Sequence, residues 1–151
     1  MIRSVWLAVG FVCLAVAATT AAPGLKDEKG DAVKRDLKKL EGDWKIESWV
    51  QFGQQVPMNA EWTFKGDKYT LTMPANLEEG TITLAPEKKP AVMDLAISGG
   101  NCKGKDQPGI YKLEGDNLTL CFAWPGTTDR PTELASTQEN RWILITLKRK
   151  K

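Results

Sequence analysis

The stretch from Gly109 to Pro131, GIYKLEGDNLTLCFAWPGTTDRP, narrows the fold more than any other part of the chain. Two runs of strand-forming residues flank Gly115-Asp116. A two-residue loop with Gly first is the signal of a type II′ hairpin, because Gly takes the required positive φ without strain. Counting outward from the turn pairs Glu114 with Asn117, Leu113 with Leu118, Lys112 with Thr119, Tyr111 with Leu120 and Ile110 with Cys121. Tyr111, Leu113, Leu118, Leu120 and Phe122 then share one face. Lys112, Glu114, Asn117 and Thr119 share the other. A slip of one residue would turn the apolar set towards water, so the register is well specified.

The same turn chemistry recurs at Gly66-Asp67. There Trp62 faces Leu71 and Phe64 faces Tyr69 on one side, with Thr63 opposite Thr70 on the other. Such cross-strand aromatic pairs contribute about 0.2–1 kcal/mol each. Upstream, Trp44, Ile46, Val50 and Phe52 alternate, with Ser48 between them, and Trp49 interrupts the polar side. Ile82 and Leu84 mark a strand over Gly80–Leu84. Met93, Leu95 and Ile97 mark another over Ala91–Ile97, with Asp94 pointing the opposite way. Trp142–Leu147 is apolar on both faces. Pro74–Asn76 and Pro86–Pro90 read as turns. Ser98–Pro108 reads as a flexible loop by composition, and Trp124–Asn140 as a long connection. Before the strands, DAVKRDLKKL over Asp31–Leu40 predicts a short amphipathic helix with Asp31 as N-cap, stopping at Gly42.

The pattern is all-β: about eight short antiparallel strands joined mostly by tight turns, preceded by one short helix. Closing such a meander into an up-and-down barrel hides its edges; an open sandwich is the alternative. The last strand would close against the first, with the helix over its outer face. The divisions are a leader at 1–21, a polar linker and helix at 22–40, and the barrel at 41–151.

The leader has Arg3, an apolar run from Val5 to Ala18, and then small residues. That is the pattern of a secretory signal peptide, cleaved after Ala18 or Ala21. The expectation is a soluble, periplasmic or extracellular protein with no stable membrane anchor after cleavage. Cys13 follows Gly10-Phe11-Val12, a poor match to a lipidation box. The 151 residues carry 21 Lys and Arg against 19 Asp and Glu, too even a balance to predict nucleic acid as a partner. Histidine is absent, which removes Ser-His-Asp and Cys-His catalysis and imidazole-based zinc sites. No cofactor or metal site is expected. After the leader, Cys102 and Cys121 remain. Export permits a disulfide between them, and two separate thiols are the other reading.

Gly42-Asp43-Trp44 after a short helix resembles the G-x-W entrance of lipocalins and related calycin barrels. The resemblance implies a basic residue packed across that Trp from the end of the last strand: Arg149 or Lys148, with Arg141 as a further choice. More closely, the chain resembles a lipocalin-like domain family abundant in planctomycete bacteria, whose function is unassigned. The matching pieces are Leu40-Glu41-Gly42-Asp43-Trp44, Phe64-Lys65-Gly66-Asp67-Lys68-Tyr69, Lys89-Pro90 through Asp94-Leu95, Gly109-Ile110-Tyr111, Gly115-Asp116, Leu118 to Cys121, and Arg130-Pro131. The resemblance implies barrel topology and no catalytic residues.

The expected inward face is uncharged. Its candidate ligand-binding residues are Trp62, Phe64, Tyr69, Tyr111, Leu120 and Phe122, with Ser48 a further polar handle. An eight-stranded barrel either fills with side chains or holds one small ligand. A small apolar ligand is the first expectation, in a non-enzymatic exported binding protein. The alternative is a filled barrel that engages a protein partner, or inhibits one, through the loops at 98–108 and 124–140. Arg130 could gate the mouth and hold an anionic head group, or could pin its loop by pairing with Asp129, Asp94 or Glu133. Asp67 and Asp116 suit turns, and no two carboxylates can be placed together for acid–base catalysis.

Overall fold

The computed structural model describes residues 24–151, and their side chains from residue 28 onward. The signal-peptide assignment lies outside the described residues. Helix α1 spans Gly24–Leu40 and therefore starts well before the predicted Asp31 cap. Val33, Leu37 and Leu40 fall on one face and pack on the main core. The helix stops where Gly42 turns to φ +119°.

Ten strands follow. They are β1 (Gly42–Gln51), β2 (Gln54–Gln55), β3 (Glu61–Lys65), β4 (Lys68–Met73), β5 (Asn76–Ala85), β6 (Ala91–Gly99), β7 (Asp106–Gln107), β8 (Gly109–Glu114), β9 (Asn117–Phe122) and β10 (Ile143–Arg149). Eight of them form a closed antiparallel barrel in the order β1-β3-β4-β5-β6-β8-β9-β10, with β10 pairing back onto β1. The two-residue strands β2 and β7 lie outside this ring, on β1 and β6.

Both hairpin registers follow the count from their turns. Trp62 pairs with Leu71 and Phe64 with Tyr69. Leu113 pairs with Leu118 and Tyr111 with Leu120. Gly66 and Gly115 have φ +59° and +60°, while neither following Asp has positive φ, as a type II′ turn requires.

Three expectations are corrected. In β1, Ile46 pairs with Leu147 and Ser48 with Thr146, so Glu47 is an extra residue with no partner. This bulge shifts the alternation by one. Trp49 consequently packs on the core beside Ile143 and Ile145. Val50 and Ser48 leave the inward face, and Phe52 is exposed at φ +53°. Next, α1 caps one end of the barrel instead of covering β10. The outer side of the wall around β10 belongs to a second cluster, in which Val92, Ile110 and Cys121 meet Leu134, Trp142 and Leu144. Finally, Ser98–Pro108 is a hydrogen-bonded hairpin. Gly104 donates to the Ile97 carbonyl at 2.8 Å, and Ile97 donates to that of Lys105 at 3.0 Å.

At the capped end, the indole N–H of Trp44 donates to the Leu40 carbonyl at 2.7 Å. The Arg149 guanidinium lies over the Trp44 ring, 4.3 Å from its centroid, and donates to the carbonyls of Lys39 and Glu41. These bonds satisfy carbonyls that the helix end leaves free. Of the three basic residues considered for this place, Arg149 holds it.

Candidate functional site

The interior is filled along most of its length. Trp62 stacks on Phe64 at 5.8 Å and on Phe122 at 6.0 Å, and tilts against Tyr69 at 5.7 Å. Phe64, Leu120 and Trp62 are at most 1% exposed. These three predicted lining residues are core packing. Tyr111 is also buried, and its hydroxyl donates to Asp36 of α1 at 2.6 Å, at the capped end. Burial and that carboxylate both push its pKa up. Tyr111 therefore ties the helix to the wall.

Space remains at the opposite, uncapped end. A cavity of about 260 Å³ opens there between the ends of β1, β4, β5 and β10 and the connections after β6 and β9. Trp49, Met73, Phe122 and Trp124 supply apolar walls, and Asn101, Cys102 and Gln107 line its other side. Phe122 is the one residue of the predicted set on this wall. Trp124 is 45% exposed and meets Phe52 edge-on at 6.0 Å, which gives the mouth an aromatic rim.

One charged side chain reaches the cavity from inside the barrel, and this corrects the expectation of an uncharged inward face. Glu78 is 7% exposed and lines the cavity. It stands on β5 in phase with Gly80, Ile82 and Leu84, all of which point inward. Strand β5 starts at Asn76, four residues earlier than predicted, which brings Glu78 into the barrel. The Tyr69 hydroxyl donates to Glu78 Oε1 at 3.0 Å. The Tyr69 ring reaches that far because it lies over Gly80, where a Cβ would come within 2.8 Å of Tyr69 Cε1 and also strike the Ala96 carbonyl. Burial pushes the Glu78 carboxyl up from its ordinary value, and the Tyr69 bond offsets this only in part. Burial, and next the neighbouring Glu78, push Tyr69 up. Among the described residues no Lys or Arg forms an ion pair with Glu78.

Two indole N–H groups, on Trp49 and Trp62, are buried without a hydrogen-bond partner. Buried polar groups left so are uncommon, and each costs about 1–3 kcal/mol. Of the two, Trp49 lines the cavity and Trp62 does not.

Arg130 is not at the mouth. It lies on the outer wall, where β6 and β8 pair only through Ala91–Tyr111 and Val92–Ile110. Beyond those pairs the strands part, and Arg130 and Asp94 fill in for the missing ladder. Arg130 makes a bidentate pair with Asp94, with its Nη2 to Oδ2 bond at 2.9 Å. It also donates to the Gly109 carbonyl at 2.9 Å, while the Gly109 amide donates to Asp94 Oδ1 at 3.3 Å. The loop-pinning alternative, with Asp94 as the partner, is the one observed. A larger groove of about 370 Å³ runs nearby past Thr83, Asp94 and Thr127, but it is an external furrow with no unpartnered buried polar group.

Both cysteines of the barrel are free. Cys121 faces the outer cluster and donates to the Ala135 carbonyl at 3.5 Å, while Cys102 packs against the interior cluster at the mouth. The wall separates them, so the reading as two thiols holds. No group of His, Cys, Asp and Glu suited to a metal occurs among the described residues.

Together these features define a closed, eight-stranded antiparallel barrel, consistent with the calycin or lipocalin type, capped by a helix at one end and open to a small cavity at the other. No protein-family model, curated protein or solved structure matches the chain.

Proposed function

We propose that this protein is an exported carrier that holds one small, mainly apolar molecule in the mouth cavity of its barrel. The observation that carries this reading is the cavity itself. Its walls are the aromatic and thioether groups of Trp49, Met73, Phe122 and Trp124, interrupted by few polar atoms, which is the composition of small-molecule sites. Its volume lies just under the usual range of about 300–1,000 Å³, which favours a compact ligand. Export rests on the leader pattern of Met1 to Ala21. The lack of histidine removes imidazole-based catalysis, which accords with a non-enzymatic role.

Native mass spectrometry of the mature protein from its own host, followed by organic extraction, tests the reading. A stoichiometric small molecule is the expected result. A clean ligand-free mass, with no shift on adding a panel of small lipophiles, would remove it.

A second reading is favoured by a specific observation at the rim. Phe52, Leu77 and Trp124 are large apolar residues exposed at this end of the barrel. In this reading the rim and the connections at 98–108 and 124–140 bind a protein partner. Crosslinking from Phe52 or Trp124 positions in the host separates the two, since a carrier gives no partner band.

A further inference from the structure

The geometry points to a cationic amine as the ligand of the mouth cavity, its ammonium group paired with Glu78 and its apolar body held between Trp49, Phe122 and Trp124. The inference rests on the carrier reading and names the chemistry of what is carried.

The argument begins with Glu78 as an anomaly. A carboxyl in a barrel interior is costly in charged form unless it is paired. Here it has one neutral donor, Tyr69, and no cation among the described residues. Where a carboxylate serves the fold alone, a Lys or Arg normally compensates it, as Arg130 does for Asp94. Glu78 instead faces open space, and no Lys or Arg lines that space. The cavity therefore presents one negative site and no positive one.

The walls fit the same ligand. Aromatic faces attract cations through the ring quadrupole, and the effect grows when water is excluded. Trp49, Phe122 and Trp124 all line the cavity. A carboxylate beside several aromatic faces is an arrangement that recognises ammonium groups. An anionic ligand would meet Glu78 repulsively and find no compensating base. A neutral alcohol would gain a hydrogen bond and lose the Coulomb and cation–π terms.

The test is isothermal titration calorimetry of the mature protein at pH 7 with three ligands of similar shape: 2-phenylethylamine, 2-phenylethanol and 3-phenylpropionate. The expected result is binding of the amine at least about tenfold tighter than the alcohol, with the acid weakest. Glu78→Gln keeps an acceptor for Tyr69 and should bring the amine down to the level of the alcohol. Equal affinities for amine and alcohol in the parent protein overturn the inference but leave the carrier reading standing. So does an amine preference that survives in E78Q. Failure of all three ligands to bind overturns both. The parent comparison stands whether or not the variant folds.

Discussion

Arg149, at the end of the last strand, lies over the indole of Trp44, at the start of the first, with its guanidinium carbon 4.3 Å from the ring centroid. It also donates to the carbonyls of Lys39 and Glu41 and bonds Asp116 at 3.2 Å. One side chain thus joins the helix end, the first strand, the last strand and the turn between β8 and β9.

Replacing Arg149 by Met keeps the aliphatic stem and removes the planar cation. The cation–π contact contributes about 0.5–2 kcal/mol, and charged donors to carbonyls about 1.5–3 kcal/mol each when well buried. Arg149 is partly exposed, so the expected loss is at the lower end, about 2–3 kcal/mol in urea denaturation. Arg149→Lys should recover less than half of it, because an ammonium cannot stack and fork at once. A loss under about 0.5 kcal/mol for R149M would mean that the seam closes without this residue.

Glu78 makes stability depend on pH in a direction opposite to most carboxylates. Its pKa is raised by burial, so the native state holds this proton more tightly than the unfolded chain does. Its contribution is fully favourable below the ordinary carboxylate pKa and is lost as pH rises through the raised native value. Glu78→Gln removes that dependence. The variant should be more stable than the parent at neutral pH, with the difference shrinking as pH falls towards the ordinary carboxylate range. Denaturation midpoints measured across this span check it; parallel curves would contradict it.

The two thiols of the barrel should differ sharply in reactivity. Burial pushes Cys121 up to about 11, and its sulfur faces a packed outer cluster. Cys102 is half-buried and lines the mouth cavity. With Ellman's reagent, a chain starting at residue 22 should release one equivalent rapidly, and the second only after unfolding. A bulky adduct on Cys102 should also block ligand binding, whereas Cys102→Ser should not.

Gly109 and Gly115 separate two uses of glycine. A Cβ at Gly109 would come within 2.9 Å of the Cys121 carbonyl and would strike the Phe122 ring. Gly109→Ala should therefore cost about 1–3 kcal/mol and weaken ligand binding, since Phe122 lines the cavity. A Cβ at Gly115 meets nothing, but φ is +60°. Gly115→Ala should cost about 1 kcal/mol and leave binding unchanged. Thermal melts and titrations of the two variants make the comparison.

Much of the barrel was legible because a type II′ turn sets register by counting. The pairs Trp62–Leu71, Phe64–Tyr69 and Tyr111–Leu120 needed no other information. The bulge at Glu47 was not legible. Nothing local marks where a strand gains a residue, and so Val50 and Phe52 were expected inside where Trp49 lies. Trp49 on the polar side was the one available hint. Glu78 was missed for a related reason: it is in phase with Ile82 and Leu84, but a carboxyl in an apolar row reads as the end of a strand. The amphipathic pattern of the helix told which face is buried and not what it is buried against, so its place over the barrel end emerged only in three dimensions. Arg130 was recognisable as a residue with a partner, but the partner depended on where β6 and β8 part.

The pairing of β10 with β1 has a kinetic consequence. Every other barrel pairing joins strands that follow one another along the chain, with only the two-residue β2 and β7 between them, so those contacts close much shorter loops than the seam does. The seam alone brings together groups as far apart in the chain as Glu41 and Arg149, 108 positions away. Its entropic cost is highest when the rest is unfolded and falls once the meander has curled. The ring should therefore zip shut late, after the main barrier. Weakening the seam would then hasten opening far more than it slows assembly, and the lifetime of the native barrel would be set at the clasp between Trp44 and Arg149.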